Sequence, residues 1–462
     1  MTDFLFWSAT RIARAIHSKE LSAREVVDAS LARIEAVNPT INSVVQLAAQ
    51  RAIDEATSAD EMTDRSQSRG PLHGVPMTIK DSLDTEGIVS TGGTRGREHF
   101  VPEKDAPVVA RLREAGAILL GKTNTPELTL SGETENLIYG RTSNPYNLER
   151  SPGGSSGGSA AAIAAGLSAI EIGSDTGGSI REPAHYCGIA GIKPTSGRTP
   201  RTGHIVPYGL GAVDSLTQLG PMTRYVEDLS LLLPIICGPD WEDPSMIDMP
   251  MRDPGQVDLK RLRIATYTEN GVTPLEPAIA ATVEESVRAL RSDGLSVTDA
   301  LPEAYAEAAN ALSNLREADG GTIVRRLLDR WGTTEPGPHM TYCFRGPPAV
   351  SGETYCKRLE EVDNAKSKML SFLRDYDAIV CPVSRHVAPI HGSTLEETFM
   401  MWSYCTVYNM TGWPGVVVRA GESPDALPIG VQIVAAPWRE DVALALASRI
   451  EKSMGGYVAP NG

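Results

Sequence analysis

The chain has 462 residues, of which 43 are Lys or Arg and 58 are Asp or Glu, giving a formal net charge of −15. With 41% hydrophobic and 22% charged residues it is neither a disordered nor a low-complexity protein, and its length can bury a large core. The acidic balance argues against nucleic-acid backbone or an anionic membrane surface as partner, because both need clustered positive charge.

No stretch approaches the roughly 18 apolar residues that a membrane span requires. The apolar run Phe4–Trp7 is too short for the core of a signal peptide, so the expected compartment is the cytoplasm. The six cysteines, Cys187, Cys237, Cys343, Cys356, Cys381 and Cys405, form no CxxC pair and read as reduced thiols. The histidines show no HExxH-like spacing, and no metal site is expected.

In chain order, Ser22 and Glu25 form a capping-box pattern ahead of Val27, Leu31 and Ile34, predicting a helix that stops before Asn38-Pro39. Residues 57–70 are polar and read as a surface connection. Gly74 to Ile79 reads as a short buried strand that delivers Lys80 at its end. Ala106–Ala115 is predicted helical and Ile118–Leu120 extended. The Gly/Ser run Ser151–Gly158 is a loop, followed by a small-residue helix over Ala160–Ala165. A strand over Ala169–Ile172 then leads into a second glycine turn, Asp175–Ser179.

Further on, strands at Leu262–Tyr267, Ala378–Val383, Gly415–Val418 and Ile429–Val434 alternate with helices at Pro277–Arg291 and Asp441–Lys452. Alternation of this kind predicts an α/β fold around one large, mostly buried sheet. Gly238–Gln256 and Gly332–Gly352, rich in Pro, Gly and Met, read as long surface or rim loops.

The two glycine clusters carry the chemistry. A linker needs no core segment between its glycines, yet here a helix and a strand separate them. Glycines in a tight turn let successive backbone N–H groups point into one small space, as an oxyanion hole requires. A serine at the end of such a turn can attack a carbonyl held there. Ser179 holds that place and follows Ser155 by 24 residues. Serine needs a base, and the bases in nearby sequence are Lys80, Lys122 and Lys193. Spacing does not choose among them.

Gly74–Asp81, Gly121-Lys122-Thr123-Asn124, Gly153–Gly158 and Asp175–Pro183 together resemble the amidase signature family. Asn144-Pro145-Tyr146, Gly188–Thr195, Asn409–Pro414 and Leu427–Gln432 extend the similarity over nearly the whole chain. Glu171, where a small residue is usual, is the one visible departure. The resemblance implies a Ser-Ser-Lys triad: Ser179 as nucleophile, Ser155 as bridging serine on a cis peptide bond, and Lys80 as base. It further implies an oxyanion hole from the backbone N–H groups of Thr176, Gly177, Gly178 and Ser179, and no cofactor. Ser156, Asp175 and Arg181 would support the site. Lys122, Lys193 and Cys187 read as structural.

The fold so implied is a single large α/β domain, with a central mixed, twisted sheet covered by helices on both faces. Residues 1–65 would form an N-terminal helical part and 66–200 the signature core. Residues 201–400 would carry variable pocket and rim segments, and 401–462 the last sheet strands and helix. The expected activity is hydrolysis of small to medium apolar or aryl amides through an acyl-enzyme, with carbamate and ester cleavage alongside. The partner is then a small-molecule amide or carbamate, and a homodimer is compatible with the chain. The pocket is expected from Leu128–Tyr139, Arg201–Val213 and Gly332–Gly352, with Tyr139, Tyr208, Met340, Tyr342 and Phe344 lining it.

Two other readings stand beside this one. The family includes glutamine-hydrolysing amidotransferase A-type subunits that need partners. Separately, Gly116–Thr123 satisfies the P-loop string GxxxxGK[ST]. A true P-loop follows a strand and opens a helix, whereas here a helix precedes Gly116 and Ala117–Leu120 suit a strand.

Overall fold

The computed structural model describes residues 3–208, 216–344, 346–393 and 403–460. Its strands in chain order begin with β1 (Val44–Leu47), β2 (Pro76–Lys80), β3 (Ile118–Thr123), β4 (Glu135–Asn136) and β5 (Gly140–Arg141). There follow β6 (Ile170–Asp175), β7 (Ala190–Lys193), β8 (Gln218–Thr223), β9 (Arg263–Thr266) and β10 (Ser296–Asp299). The last three are β11 (Ala378–Pro382), β12 (Gly415–Glu422) and β13 (Pro428–Ala435).

Eleven of them make one sheet in the order β1-β3-β2-β6-β8-β7-β12-β13-β11-β9-β10, while β4 and β5 pair only with each other. β2 runs parallel to both β3 and β6, whereas β6 runs antiparallel to β8, so the sheet is mixed. β2, β3 and β6 are buried along their whole length, as parallel strands flanked by helices must be. The α/β architecture with helices flanking a large mixed sheet is thus as the sequence led one to expect. Among the described residues no helix is long and apolar enough to cross a membrane.

Alternation along β2 sets up the site. Met77 and Ile79 enter the main hydrophobic core with Val26, Val27 and Ile34 of the helix Ala23–Ile41. Thr78 and Lys80 therefore emerge on the other face. The Gly157–Ala164 helix packs against β2, β3 and β6.

Several boundaries differ from the sequence reading. The first long helix runs through Pro39 to Ile41, because a proline in the last turn forfeits only one i→i−4 bond. Residues 57–64 are not a connection but the second half of the helix Ala49–Asp64. Its buried stripe is Ala52, Ala56 and Ala59, too weakly apolar to stand out from polar neighbours. β7 and β8 were not anticipated. Gly220 hides β8 by looking like a turn residue, yet a Cβ there would meet the Ile192 carbonyl at 2.0 Å, so close strand approach requires it. The helices Tyr305–Arg316, Thr322–Trp331 and Gly352–Phe372 were also missed, although they bracket the rim loop at Gly332 and Gly352 as read.

Candidate active site

Lys80 ends β2 with its side chain fully buried. Its Nζ lies 2.7 Å from Ser155 Oγ, 2.9 Å from Ser156 Oγ and 2.9 Å from Ser174 Oγ. Burial lowers the lysine pKa well below its ordinary value, against the opposing pull of Asp175 and Glu171. A neutral amine has two N–H bonds and one lone pair, so one of the three hydroxyls must donate to it. Ser156 is not that donor, because its proton points to the Ser174 carbonyl at 3.2 Å. The lysine lone pair is left for Ser155 or Ser174, and Ser155 is nearer.

The Gly154–Ser155 peptide is cis, and Thr125 Oγ1 donates to the Ser155 carbonyl at 3.1 Å. Gly173 on β6 makes room for this cluster, since a Cβ there would come within 2.9 Å of Ser156 Oγ. The second turn is held from behind by a buried pair. Arg181 Nε and Nη2 each meet the Asp175 carboxylate at 3.0 Å, and Nη1 donates to Gln432 Oε1 at 2.7 Å. Asn409 Nδ2 donates to Asp175 Oδ1 at 2.8 Å. Burial raises the Asp175 carboxyl, but Arg181 and Asn409 outweigh it and hold the group well below the usual carboxylate range.

This clamp narrows the expected oxyanion hole. The Gly178 N–H already donates to Asp175 Oδ1 at 2.8 Å, which leaves Thr176, Gly177 and Ser179. Among the described residues the backbone N–H groups of these three have no protein acceptor. The Ser179 hydroxyl makes no hydrogen bond with any described residue either, while its carbonyl accepts from Ser156 N at 3.2 Å. Gly178 has φ +136°, and a Cβ there would meet Cys405 Cβ at 2.9 Å.

The structure brings Lys80, Ser155 and Ser156 into contact and joins Asp175 to Arg181. Lys122 and Lys193 are buried elsewhere. Lys122 Nζ donates to the Leu83 carbonyl, Thr85 Oγ1 and Ser90 Oγ, and burial lowers its pKa to about 8. Because Lys122 sits inside β3, the P-loop string is an interior strand and not a phosphate loop. Lys193 donates to the Pro194 carbonyl at 3.0 Å, and burial lowers it to about 7. Cys187 is buried, which pushes its thiol far up.

The three expected pocket segments do converge. Leu128, Ile205, Val206 and Met340 share one apolar cluster, with Phe344 partly buried against it. Tyr139 instead stands half-buried outside that cluster, its hydroxyl accepting from Gln46 Nε2 at 3.0 Å. Residues 209–213 and the Tyr342 side chain lie outside the described part. Ser174, Asn409 and Gln432 were not assigned roles from the sequence. Ser174 directly precedes the Asp175 turn, and the other two stood in the matching C-terminal segments, so their positions were visible but their contacts were not.

A family model described as Amidase matches residues 25–444. The chain belongs to the amidase signature family. It is 36% identical to the A subunit of glutamyl-tRNA(Gln) amidotransferase from Moorella thermoacetica, over 98% of this chain and 97% of that protein. It is 34% identical to an acylamidase of Rhodococcus erythropolis, over 97% and 95% of the two chains. The solved structure of 6-aminohexanoate cyclic dimer hydrolase with its substrate superposes with TM-score 0.88, at 30% identity and 99% coverage of both chains. These amidase relatives therefore act in different settings, and family membership establishes an amidase-type protein without fixing the substrate.

Proposed function

We propose that this amidase hydrolyses amides through an acyl-enzyme on Ser179, with Ser155 as proton relay and Lys80 as base. The observation that carries this reading is the 2.7 Å contact between the buried Lys80 Nζ and Ser155 Oγ. Burial disfavours the ammonium form and so favours a neutral amine beside a serine hydroxyl. Ser179 Oγ bonds to the carbonyl carbon as its proton passes to Ser155 and the Ser155 proton passes to Lys80. The displaced π pair settles on the carbonyl oxygen, opposite the N–H groups of Thr176, Gly177 and Ser179. Collapse breaks the C–N bond, and the amine leaves with the proton returned along the same path. Water then cleaves the ester by the reverse sequence.

The substrates in this reading are small to medium apolar or aryl amides, with carbamates and esters as further carbonyl substrates. Similarity to an acylamidase and the convergence of apolar residues from three pocket segments support it. A second reading, the glutamine-hydrolysing part of an amidotransferase, is favoured by the 36% identity to such a protein. Steady-state rates of the purified chain on matched anilide, carbamate, ester and glutamine substrates separate the two. Turnover of anilide or carbamate by the chain alone supports the free-standing hydrolase. Turnover confined to glutamine, or dependent on added partner subunits, moves the conclusion to the second reading.

A further inference from the structure

Glu171 is a fully buried carboxyl on the strand next to that of Lys80. Thr78 registers with Glu171 between β2 and β6, and Lys80 registers with Thr123 between β2 and β3. Residues in register across parallel strands, and residues two apart along one strand, share a face. Thr78, Lys80, Thr123 and Glu171 therefore stand on one face of the sheet. Glu171 Oε2 accepts from Thr78 Oγ1 at 2.7 Å and from Thr123 Oγ1 at 3.1 Å. Since Thr123 lies on the far side of β2, the carboxyl reaches across that strand on the face from which Lys80 rises.

Its second oxygen, Oε1, accepts from the Ile172 amide at 3.1 Å. All three partners donate, which favours the carboxylate, while burial favours the acid. The balance raises its pKa to about 7, burial being the main cause. The charge that acts on Glu171 is Lys122 on β3, while Glu171 and Asp175, both on β6, act on Lys80 on β2. The Gly157–Ala164 helix above it and β8 beside β6 contribute no ionisable side chain.

Resting on the catalytic reading above, we infer that Glu171 is a positioning residue that sets the protonation state of Lys80. As a carboxylate it stabilises the ammonium; as an acid it leaves the lysine neutral. While Glu171 is ionised, its negative charge raises the proton affinity of Lys80. Protonation of Glu171 removes that charge and weakens the hold of Lys80 on its own proton. The two groups titrate as a coupled pair, which broadens the acid limb.

The test follows the rate of Ser179 labelling by phenylmethanesulfonyl fluoride between about pH 5 and 9 in wild type, Glu171→Gln and Glu171→Ala. Removing the carboxylate is expected to move the acid limb of the rate profile down by roughly half a unit to one unit and to steepen it. Glu171→Ala carries the measurement if Glu171→Gln does not fold. An acid limb unchanged in position and slope in a folded variant overturns the inference. Undiminished activity in Lys80→Ala or Ser179→Ala would be a different result, sinking the triad itself.

Discussion

Lys80 and Lys122 leave adjacent parallel strands on opposite faces of the sheet. Lys80 registers with Thr123 and Ile79 with Lys122, so one lysine points to the serines while the other points away. Lys122 instead ties down residues 83–90 through the Leu83 carbonyl, Thr85 and Ser90, with Asp81 at 4.0 Å. Two buried lysines on neighbouring strands thus have different work. Their substitution should separate catalysis from stability.

Lys80→Ala is expected to lower kcat by roughly a hundredfold to ten-thousandfold at neutral pH, the range of a lost general base. The deficit should shrink as pH rises and hydroxide replaces the amine. Lys122→Ala should cost about 3–5 kcal/mol of stability, because it strands the buried Asp81 carboxyl, with a far smaller effect on the rate of the folded fraction. Denaturant melts and pH–rate profiles of both variants check this. Equal rate losses in two well-folded proteins would mean that the base has been misassigned.

Ser179→Ala should abolish turnover by about three orders of magnitude or more and leave the melting temperature nearly unchanged, since the hydroxyl makes no hydrogen bond with any described residue. Mass spectrometry after treatment with a sulfonyl fluoride should place the label on the peptide holding Ser179. A label elsewhere, with activity retained in the variant, would refute the nucleophile.

The Asp175–Arg181 pair gives a pH dependence of definite sign. The folded pKa of Asp175 lies below its unfolded value near 3.9, so its contribution is fully present above about pH 4 and lost as pH falls towards the folded value. Asp175→Asn should cost about 3–5 kcal/mol at neutral pH, because Arg181 is left buried without its counter-charge. Its stability should then vary less with pH below about 4 than that of wild type. Chemical denaturation at neutral and acid pH reads both effects.

Gly173→Ala would place a methyl 2.9 Å from Ser156 Oγ and 2.8 Å from Met222 Sδ. Displacing Ser156 shifts one of the three oxygens around Lys80 Nζ, and a misplacement near 1 Å can cost about a hundredfold in rate. The expected signature is a large fall in kcat with a melting temperature lowered by only a few degrees. A variant with wild-type kcat would show that Ser156 does not help to hold the lysine.

The sequence by itself determined the α/β class, the strand delivering Lys80, the two glycine clusters with their serines, and the family. All of these rest on local signals: turn glycines, short apolar runs, and motifs whose residues are close along the chain. It did not choose the lysine from spacing, because strand register decides which way a side chain points. It also could not show that Gly178 N–H is committed to Asp175, or that Asn409 and Gln432 brace Arg181. The bracing contacts join segments more than two hundred residues apart. Nor could it distinguish β8, whose Gly220 admits the Ile192 carbonyl of β7, a strand separated from it by a long connection. The pKa of Glu171 and of Lys80 likewise came only with the tertiary structure, because burial and the identity of neighbours across the sheet set both.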